Sequence, residues 1–189
     1  MKIIGITGGI GSGKSVVCHC LEVMGFPVFY SDQAAKDLFF GDAVQNGLRK
    51  IVGLPDNEPV SQDFLRKVIF KDEVKLKAVN ALIHPMVFES FDKWVQQHSG
   101  FSLLFVESAL MLETGLANKM DKVVCVISPK KLRMNRQIEL KGRNEKVVES
   151  IINNQSTDEI LMAQSDCVIL NNENTLLLPQ IVNLITQFR

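Results

Sequence analysis

The sequence predicts an α/β fold in which a parallel sheet is covered by helices. Three observations support this prediction. Short apolar runs alternate along the chain with stretches of helical pattern, as in strands joined by helical crossovers. The apolar runs lack polar alternation, which is typical of strands buried on both faces. A glycine-rich segment separates the first apolar run from the first helical stretch, and this is the order of a strand, a turn and a helix.

The predicted elements follow one another from the N-terminus. The strands are expected at residues 2–6, 28–30, 101–106, 122–127 and 167–170. Helices are expected at residues 16–24, 62–70, 72–82, 85–97, 144–164 and 175–188, and a basic helix broken at Gly142 at residues 130–143. Gly25 and Gly100 stand where two helices should stop. Pro85 suits the first turn of a helix.

The glycine-rich segment runs from Gly8 to Ser15 and fits the pattern G-x-x-x-x-G-K-[ST] of phosphate-binding loops. Glycines let the backbone curl so that several N–H groups point at a phosphate chain. The start of the next helix adds partial positive charge. Lys14 is expected to reach the outer phosphates, and the Ser15 hydroxyl is expected to ligate Mg²⁺. The predicted fold is therefore the three-layer sandwich of P-loop NTPases, with five parallel strands.

Composition limits the possible partners. The 189 residues are 46% hydrophobic, and 21 basic residues balance 21 acidic ones. This balance indicates no nucleic acid or anionic membrane as partner, and no obligate protein partner is predicted. No run approaches the roughly 20 apolar residues of a membrane span, and no signal-peptide pattern is found. The four cysteines form no C-x-x-C pair, which favours free thiols in a reducing cytoplasm.

Residues 33–99 are too long for a simple crossover and too patterned for a loop. They predict a helical lobe inserted beside the nucleotide site. A compact core with such a lobe, a basic segment after the fourth strand and no N-K-x-D guanine signature favours a small-molecule kinase over a GTPase. Such a kinase must exclude water, since ATP would otherwise be hydrolysed.

Two acidic residues follow predicted strands, where ligands bind in open α/β sheets. Asp32 could take a proton from an attacking hydroxyl or help to hold Mg²⁺ through water, or it could be a helix N-cap. Glu107 could anchor magnesium-bound water opposite Ser15, or could simply end a strand. Glu113 could face either the cleft or solvent.

The basic segment holds three arginines, Arg133, Arg136 and Arg143. Any of them could neutralise charge on a transferring phosphate, or all could belong to a solvated helix face. Arg133 and Arg136 are three positions apart and share a face. His84 could contact a substrate or could be a helix-end residue.

The whole chain resembles the dephospho-coenzyme A kinase family. The resemblance rests on the opening loop with its Gly-Gly-Ile-Gly run, on Ser31-Asp32 with Ala34-Ala35, on residues 65–70, on Asn80-Ala81-Leu82-Ile83-His84-Pro85, on Leu110-Met111-Leu112-Glu113 and on the late strand with Asn171. These segments keep the order of the family over nearly the full length.

The resemblance implies ATP and dephospho-CoA as substrates, Mg²⁺ as cofactor, and transfer to the ribose 3′-hydroxyl. It implies a core of residues 1–32, 100–132 and 165–189, a substrate lobe of about 33–99 and a lid of about 133–164. Asp32, Lys14 and Arg136 would be catalytic. ATP would be bound by Gly9, Gly11, Ser12, Gly13, Lys14, Ser15, Val16 and Asn171. The acceptor would meet Asp32, Arg66, His84 and Glu113, and the metal would meet Ser15. The water-mediated contact of Glu107 with the metal remains a prediction from its place at a strand end.

Two departures from the family pattern stand out. The family carries two lid arginines four positions apart; Arg136 matches the first, and Leu140 occupies the second position. Arg143 could compensate if the helix continued to it. Ser108-Ala109 replace a family proline. The alternatives are another P-loop nucleoside or nucleotide kinase, or a nucleotide-binding protein with weak catalysis.

Overall fold

A computed structural model describes residues 1–69 and 72–189. The chain forms two compact units, which are described separately below. The sheet unit comprises Met1–Tyr30 and Val95–Arg189, and the helical unit comprises Ser31–Trp94.

The sheet has five strands among the described residues, and each paired neighbour is parallel. They are β1 (Lys2–Thr7), β2 (Val28–Tyr30), β3 (Leu103–Glu107), β4 (Lys122–Ile127) and β5 (Cys167–Leu170), in the order β2-β3-β1-β4-β5. The predicted α/β fold class is therefore confirmed. In the strand register Ile6 pairs with Glu107 and Thr7 with Cys125, so the ends of three strands meet where β1 leads into the glycine-rich loop.

The helices alternate with these strands. They are α1 (Lys14–Val23), α2 (Ser31–Phe39), α3 (Asp42–Val52), α4 (Gln62–Ile69), α5 (Glu73–Gln97), α6 (Lys130–Glu139), α7 (Glu145–Asn153), α8 (Asp158–Ala163) and α9 (Leu177–Phe188). A 3₁₀ turn, Leu116–Lys119, precedes β4. No helix in the described part of the chain is long and apolar enough to span a bilayer.

The core of the sheet unit lies on both faces of β1. Ile4 and Ile6 are fully buried in one cluster with residues of α1 and α9. Since side chains alternate along a strand, Gly5 faces the opposite side, where the Met111 side chain fills the space that a larger residue would need. Each buried leucine or isoleucine of such a core contributes about 1.5–3 kcal/mol to folding.

The edge strand β5 differs from the prediction that every strand is buried on both faces. Val168 and Leu170 remain 39% and 43% exposed, whereas Ile169 between them is 1% exposed, so only one face of this edge strand is covered. The Gln180 side chain accepts from the Leu170 N–H and donates to its C=O, both at 2.9 Å. This pairing covers part of an edge that would otherwise present unpaired backbone groups.

The helical unit has its own core, formed by Phe39, Val44, Leu48, Leu65 and Val79 among others. Its helices start at predicted signals. The Ser61 hydroxyl accepts from the Phe64 N–H, and the Asp72 carboxylate accepts from the Lys75 N–H, which satisfies N–H groups that a helix start leaves free. The helix predicted at residues 62–70 is α4, and the predicted last residue, Phe70, lies outside the described residues.

Pro85 does not begin a helix, contrary to the prediction. The helices expected at residues 72–82 and 85–97 are one helix, α5, with Pro85 inside it. A proline inside a helix costs about 3 kcal/mol because it removes one hydrogen bond. Val79, Val87 and Phe91 are buried along α5 on both sides of the proline, and burial of that size outweighs the cost.

The predicted helix at residues 144–164 is two helices. The Asn144 side chain accepts from the Lys146 N–H and caps α7, and the Thr157 hydroxyl accepts from the Ile160 N–H and caps α8. The basic helix also ends earlier than residue 143. Gly142 has a φ of 62°, and the Arg143 N–H donates to the Gln137 carbonyl at 3.1 Å, so the chain reverses after α6.

Candidate active site

The glycine-rich loop follows β1 and leads directly into α1. Three of its glycines, Gly8, Gly11 and Gly13, have φ of 147°, 76° and 95°, which L-residues rarely adopt. Gly13 is the N-cap residue of α1 and offers no side-chain cap. Gly13 therefore places no side chain between the N-terminus of α1 and an anion.

The same glycines are needed for a second reason, which is close packing. A methyl group on Gly13 would overlap the Asn171 amide nitrogen, and one on Gly9 would overlap the Arg133 guanidinium. Gly11 lies against the Arg133 backbone. The loop thus packs against α6 and the end of β5 on the side that its glycines leave bare.

Lys14 is folded back over the loop. Its ammonium donates to the Gly8 carbonyl at 2.7 Å and to the Gly9 carbonyl at 3.3 Å, and lies 3.9 Å from a Glu107 carboxylate oxygen. The Lys14 side chain is 9% exposed. Two carbonyls of the loop therefore hold the Lys14 ammonium against the loop.

Oxygen ligands for a hard cation stand beside it. Glu107 ends β3 with its side chain 13% exposed, and Ser15 is an exposed residue in the first turn of α1. Within residues 1–69 and 72–189, no three His, Cys, Asp or Glu side chains form a metal cluster. This donor set fits Mg²⁺, which keeps several waters and takes one or two protein ligands together with substrate phosphates.

Glu107 also acts on its surroundings through its charge. Burial raises the pKa of the Cys18 thiol, and the negative charge of Glu107 raises it further. All four cysteines are free thiols, two of them buried. Cys18 is therefore an inert core residue rather than a nucleophile.

Arg136 and Asn171 both donate hydrogen bonds to backbone carbonyls of the loop. The Arg136 guanidinium donates to the Gly11 carbonyl, the Ser128 hydroxyl and the Asn171 carbonyl at 3.2–3.3 Å. The Asn171 amide donates to the Ser12 carbonyl at 2.8 Å. Both residues therefore hydrogen-bond to the backbone of the loop, a contact that the sequence did not indicate.

Arg133 is not part of a solvated helix face. It is 7% exposed, and its guanidinium lies 3.2 Å from an Asp158 carboxylate oxygen. The physical reason is the position of α6, whose first turns lie against Gly9 and Gly11. Arg133 belongs to α6 and Asp158 to α8, so this ion pair joins the two helices. Removing one partner of a buried ion pair costs more than the intact pair stabilises, because it leaves a buried charge unpaired.

Glu113, Arg66 and Val16 also belong to the set of predicted site residues. Glu113 is exposed, and its carboxylate accepts from the Ser156 hydroxyl at 2.6 Å and from the Ser156 N–H at 3.3 Å. Arg66 of α4 is exposed, 3.5 Å from the Asp63 carboxylate. Val16, in the first turn of α1, is 52% exposed.

His84 and Asp32 are placed differently from their simplest interpretations. His84 is in the middle of α5, not at a helix end, and partial burial lowers its pKa. Asp32 is the second residue of α2, which begins at Ser31, so Asp32 lies inside the helix and is not its N-cap. It is exposed, two positions after the last residue of β2.

Sequence reasoning missed the residues that support the loop from the segment between α7 and α8. Gln155 accepts a hydrogen bond from the Ile10 N–H, and Ser156 binds Glu113. No motif marks a polar residue as a support for a loop 145 positions away. The break between the two helices was the available signal, because Thr157 is a good N-cap residue.

The strand β1, the glycine-rich loop with Lys14 and Ser15, and the parallel sheet around them define a P-loop nucleotide enzyme. The model of the dephospho-CoA kinase family matches residues 2–176. The chain belongs to the dephospho-CoA kinase family, for which ATP is the phosphoryl donor.

Two relatives agree with this assignment, and a solved structure shares the fold. The chain is 36% identical to dephospho-CoA kinase of Bacteroides fragilis strain YCH46, over 96% of this chain and 90% of that protein. It is 35% identical to dephospho-CoA kinase of Porphyromonas gingivalis W83, over 100% and 95% respectively. The crystal structure of TT1252 from Thermus thermophilus superposes with a TM-score of 0.86 at 25% identity, covering 98% of this chain and 96% of that one.

Proposed function

We propose that this protein transfers the γ-phosphoryl group of ATP to the ribose 3′-hydroxyl of dephospho-CoA, which yields CoA and ADP. This is the last step of coenzyme A biosynthesis. The observation that carries the proposal is the family match over residues 2–176, in a chain whose phosphate loop is complete from Gly8 to Ser15. We place the enzyme in the cytoplasm, where its four free thiols would stay reduced.

In the proposed reaction the 3′-hydroxyl oxygen forms a bond to the γ-phosphorus while the bond to the β,γ-bridging oxygen breaks. The hydroxyl proton passes to the Asp32 carboxylate, and ADP leaves with the electrons of the broken bond. Negative charge grows on the transferred group and on the leaving oxygen. The Lys14 ammonium and the inward N–H groups of the loop stabilise that charge without reorganising.

Arg136 adds positive charge beside the phosphates in this proposal. Its hydrogen bond of 3.3 Å to the Gly11 carbonyl supports the assignment, since it places a guanidinium against the loop itself. Asn171, which donates to the Ser12 carbonyl, would help to hold the loop and to form the edge of the adenine site. Both roles require the loop to keep one conformation.

Mg²⁺ would be held by the Ser15 hydroxyl and, through water, by Glu107, and it would neutralise charge on the β- and γ-phosphates. The exposed hydroxyl of Ser15 and the nearly buried carboxylate of Glu107 support this assignment. Glu107 lies 3.9 Å from the Lys14 ammonium, so the two groups would sit on one side of the phosphates.

The acceptor is proposed to meet Asp32, Arg66, His84 and Glu113. Residues 33–99 would form the lobe that binds it, and residues 133–164 the lid over ATP. An arginine suits the phosphates of dephospho-CoA, and a largely neutral imidazole at His84, whose pKa is lowered, suits a hydrogen bond to a neutral group. Both hydrogen bonds from Ser156 go to one carboxylate oxygen of Glu113, so the second oxygen could accept from the acceptor without breaking them.

The proposal is tested by coupled measurement of ADP release from ATP with Mg²⁺. Dephospho-CoA is expected to stimulate release strongly, while its 3′-deoxy analogue, which lacks the attacking hydroxyl, is expected to give none. Mass spectrometry should find CoA in a 1:1 ratio with ADP. Release that the two acceptors change equally, or a stronger response to another nucleoside or nucleotide, would contradict the proposal.

One observation favours a slower enzyme. Leu140 is 76% exposed at the C-cap of α6, where the family carries a second lid arginine. Arg143 lies beyond the Gly142 reversal and does not continue α6. Weak catalysis is therefore the second candidate, distinguished by the turnover number of the wild-type chain.

Replacing Leu140 with arginine is expected to raise kcat by about tenfold. An arginine that contacts a transferring phosphate can raise kcat by about 10³-fold or more. The exposed position means that the change disturbs no core, and a cation near a helix C-terminus is favourable. Steady-state kinetics of Leu140→Arg beside Leu140→Gln, which is polar but uncharged, separates charge from polarity. An arginine variant no faster than the glutamine variant would show that this charge does not limit turnover.

A further inference from the structure

The side chain of Gln155 reaches the phosphate loop from the segment between α7 and α8. Its Oε1 atom accepts a hydrogen bond of 2.8 Å from the backbone N–H of Ile10. Ile10 stands between Gly9 and Gly11, two residues without a side chain. The hydrogen bond to Gln155 therefore restrains a part of the loop where glycines allow the backbone many conformations.

The direction of this hydrogen bond matters for anion binding. A phosphate loop works when its N–H groups converge on one point. Gln155 accepts from the Ile10 N–H, and the Asn171 amide donates to the Ser12 carbonyl. With these peptides fixed on either side of Gly11, the remaining N–H groups keep their orientation before ATP arrives. Preorganisation of this kind lowers the entropy that binding must remove.

The segment that carries Gln155 is itself held at several points. The Ser156 hydroxyl and N–H both donate to Glu113. Asp158 lies 3.2 Å from the buried Arg133 guanidinium. The Thr157 hydroxyl caps α8. The carboxamide of Gln155 is thus presented by a rigid support, as a positioning group must be.

We propose that Gln155 is a positioning residue for ATP, which sets the conformation of the phosphate loop through Ile10 without touching the reacting atoms. The proposal rests on the function given above and deepens it. It assigns to Gln155 an effect on ATP affinity and none on the affinity for the acceptor.

The test is Gln155→Met, which keeps the length of the side chain and removes the acceptor oxygen. Its matched control is Gln164→Met, at an exposed glutamine that ends α8. Calorimetry with ATP and Mg²⁺ in the absence of acceptor is expected to show Kd raised about tenfold in the first variant, the size of one lost hydrogen bond. KM for ATP should rise in parallel, while KM for dephospho-CoA and kcat stay within about twofold.

A readout independent of activity is amide hydrogen exchange. The Ile10 N–H is expected to exchange at least about tenfold faster in Gln155→Met than in the wild type or the control. Equal exchange of Ile10, or an unchanged Kd for ATP, would overturn the proposal. A rise in KM of the same size for both substrates, together with a lowered Tm, would also overturn the proposal, because that pattern indicates a general structural effect.

Gln155→Asn provides a second variant if the methionine variant does not fold. Its side chain is shorter by one methylene group and should not reach Ile10, so the same rise in Kd is expected. Failure of the assigned kinase reaction can be told apart from failure of the proposal for Gln155. Wild-type ADP release that ignores dephospho-CoA would overturn the assigned reaction, whereas ATP affinity and Ile10 exchange test Gln155 without any acceptor.

Discussion

Replacing Asp32 with asparagine is expected to lower kcat for CoA formation by about 10²–10⁴-fold, the usual contribution of a positioned general base. Asparagine keeps the size of the side chain but cannot take the proton of the 3′-hydroxyl. Asp32 is exposed in the first turn of α2, so the change should leave the fold intact. KM for ATP should change by less than about threefold, because Asp32 has no part in the phosphate loop.

The matched control is Asp42→Asn. Asp42 is likewise an exposed aspartate in the first turn of a helix of the helical unit, α3. Any effect of lost charge at a helix N-terminus is about 0.3–1 kcal/mol and should appear equally in both variants. If the kcat of Asp32→Asn equals that of Asp42→Asn, Asp32 is not the general base. Asp32 would then have only a structural role in the first turn of α2.

Replacing Lys14 with methionine is expected to lower kcat by about 10²–10³-fold, the effect of removing one preorganised donor from a developing charge. The methylene chain is kept, but the ammonium that donates to Gly8 and lies 3.9 Å from Glu107 is lost. Turnover measured at saturating ATP isolates the chemical step from weaker binding.

Lys50→Met, at an exposed lysine of α3, controls for loss of a charge at the surface. Circular dichroism and thermal melting should show Lys14→Met folded, with a modestly lowered Tm, because two loop carbonyls lose a donor. Turnover of Lys14→Met within about threefold of Lys50→Met would contradict its proposed role at the transferring phosphate.

Much of the fold could be predicted because its signals are local. The strands of the sheet were found from apolar runs, with β2, β4 and β5 correct at both ends. The phosphate loop was found because its glycine spacing is a backbone requirement that sequence records directly. The failures were also physical. Pro85 lies within α5 because burial of neighbouring residues outweighs the lost hydrogen bond, and propensity rules do not include that burial.

The candidate site was predictable in its inner part and not in its supports. Lys14 and Ser15 follow from the motif, and Glu107 follows from its place at the end of a strand next to β1. The sequence leaves open whether Arg133 contacts a phosphate or faces solvent, whereas in the structure it is buried against Gly9 and paired with Asp158. Composition alone could not separate it from Arg143, since both lie in one basic segment.

By itself the sequence determined the class of fold, the loop that binds phosphate and the family, because each depends on residues that are close along the chain or on motifs in a kept order. Only the tertiary structure decided what surrounds the loop. The hydrogen bonds between Arg136 and Gly11, between Gln155 and Ile10 and between Asn171 and Ser12 join residues that are 125, 145 and 159 positions apart. Such contacts depend on how helices and strands pack, and packing is a property of the assembled core rather than of any short segment.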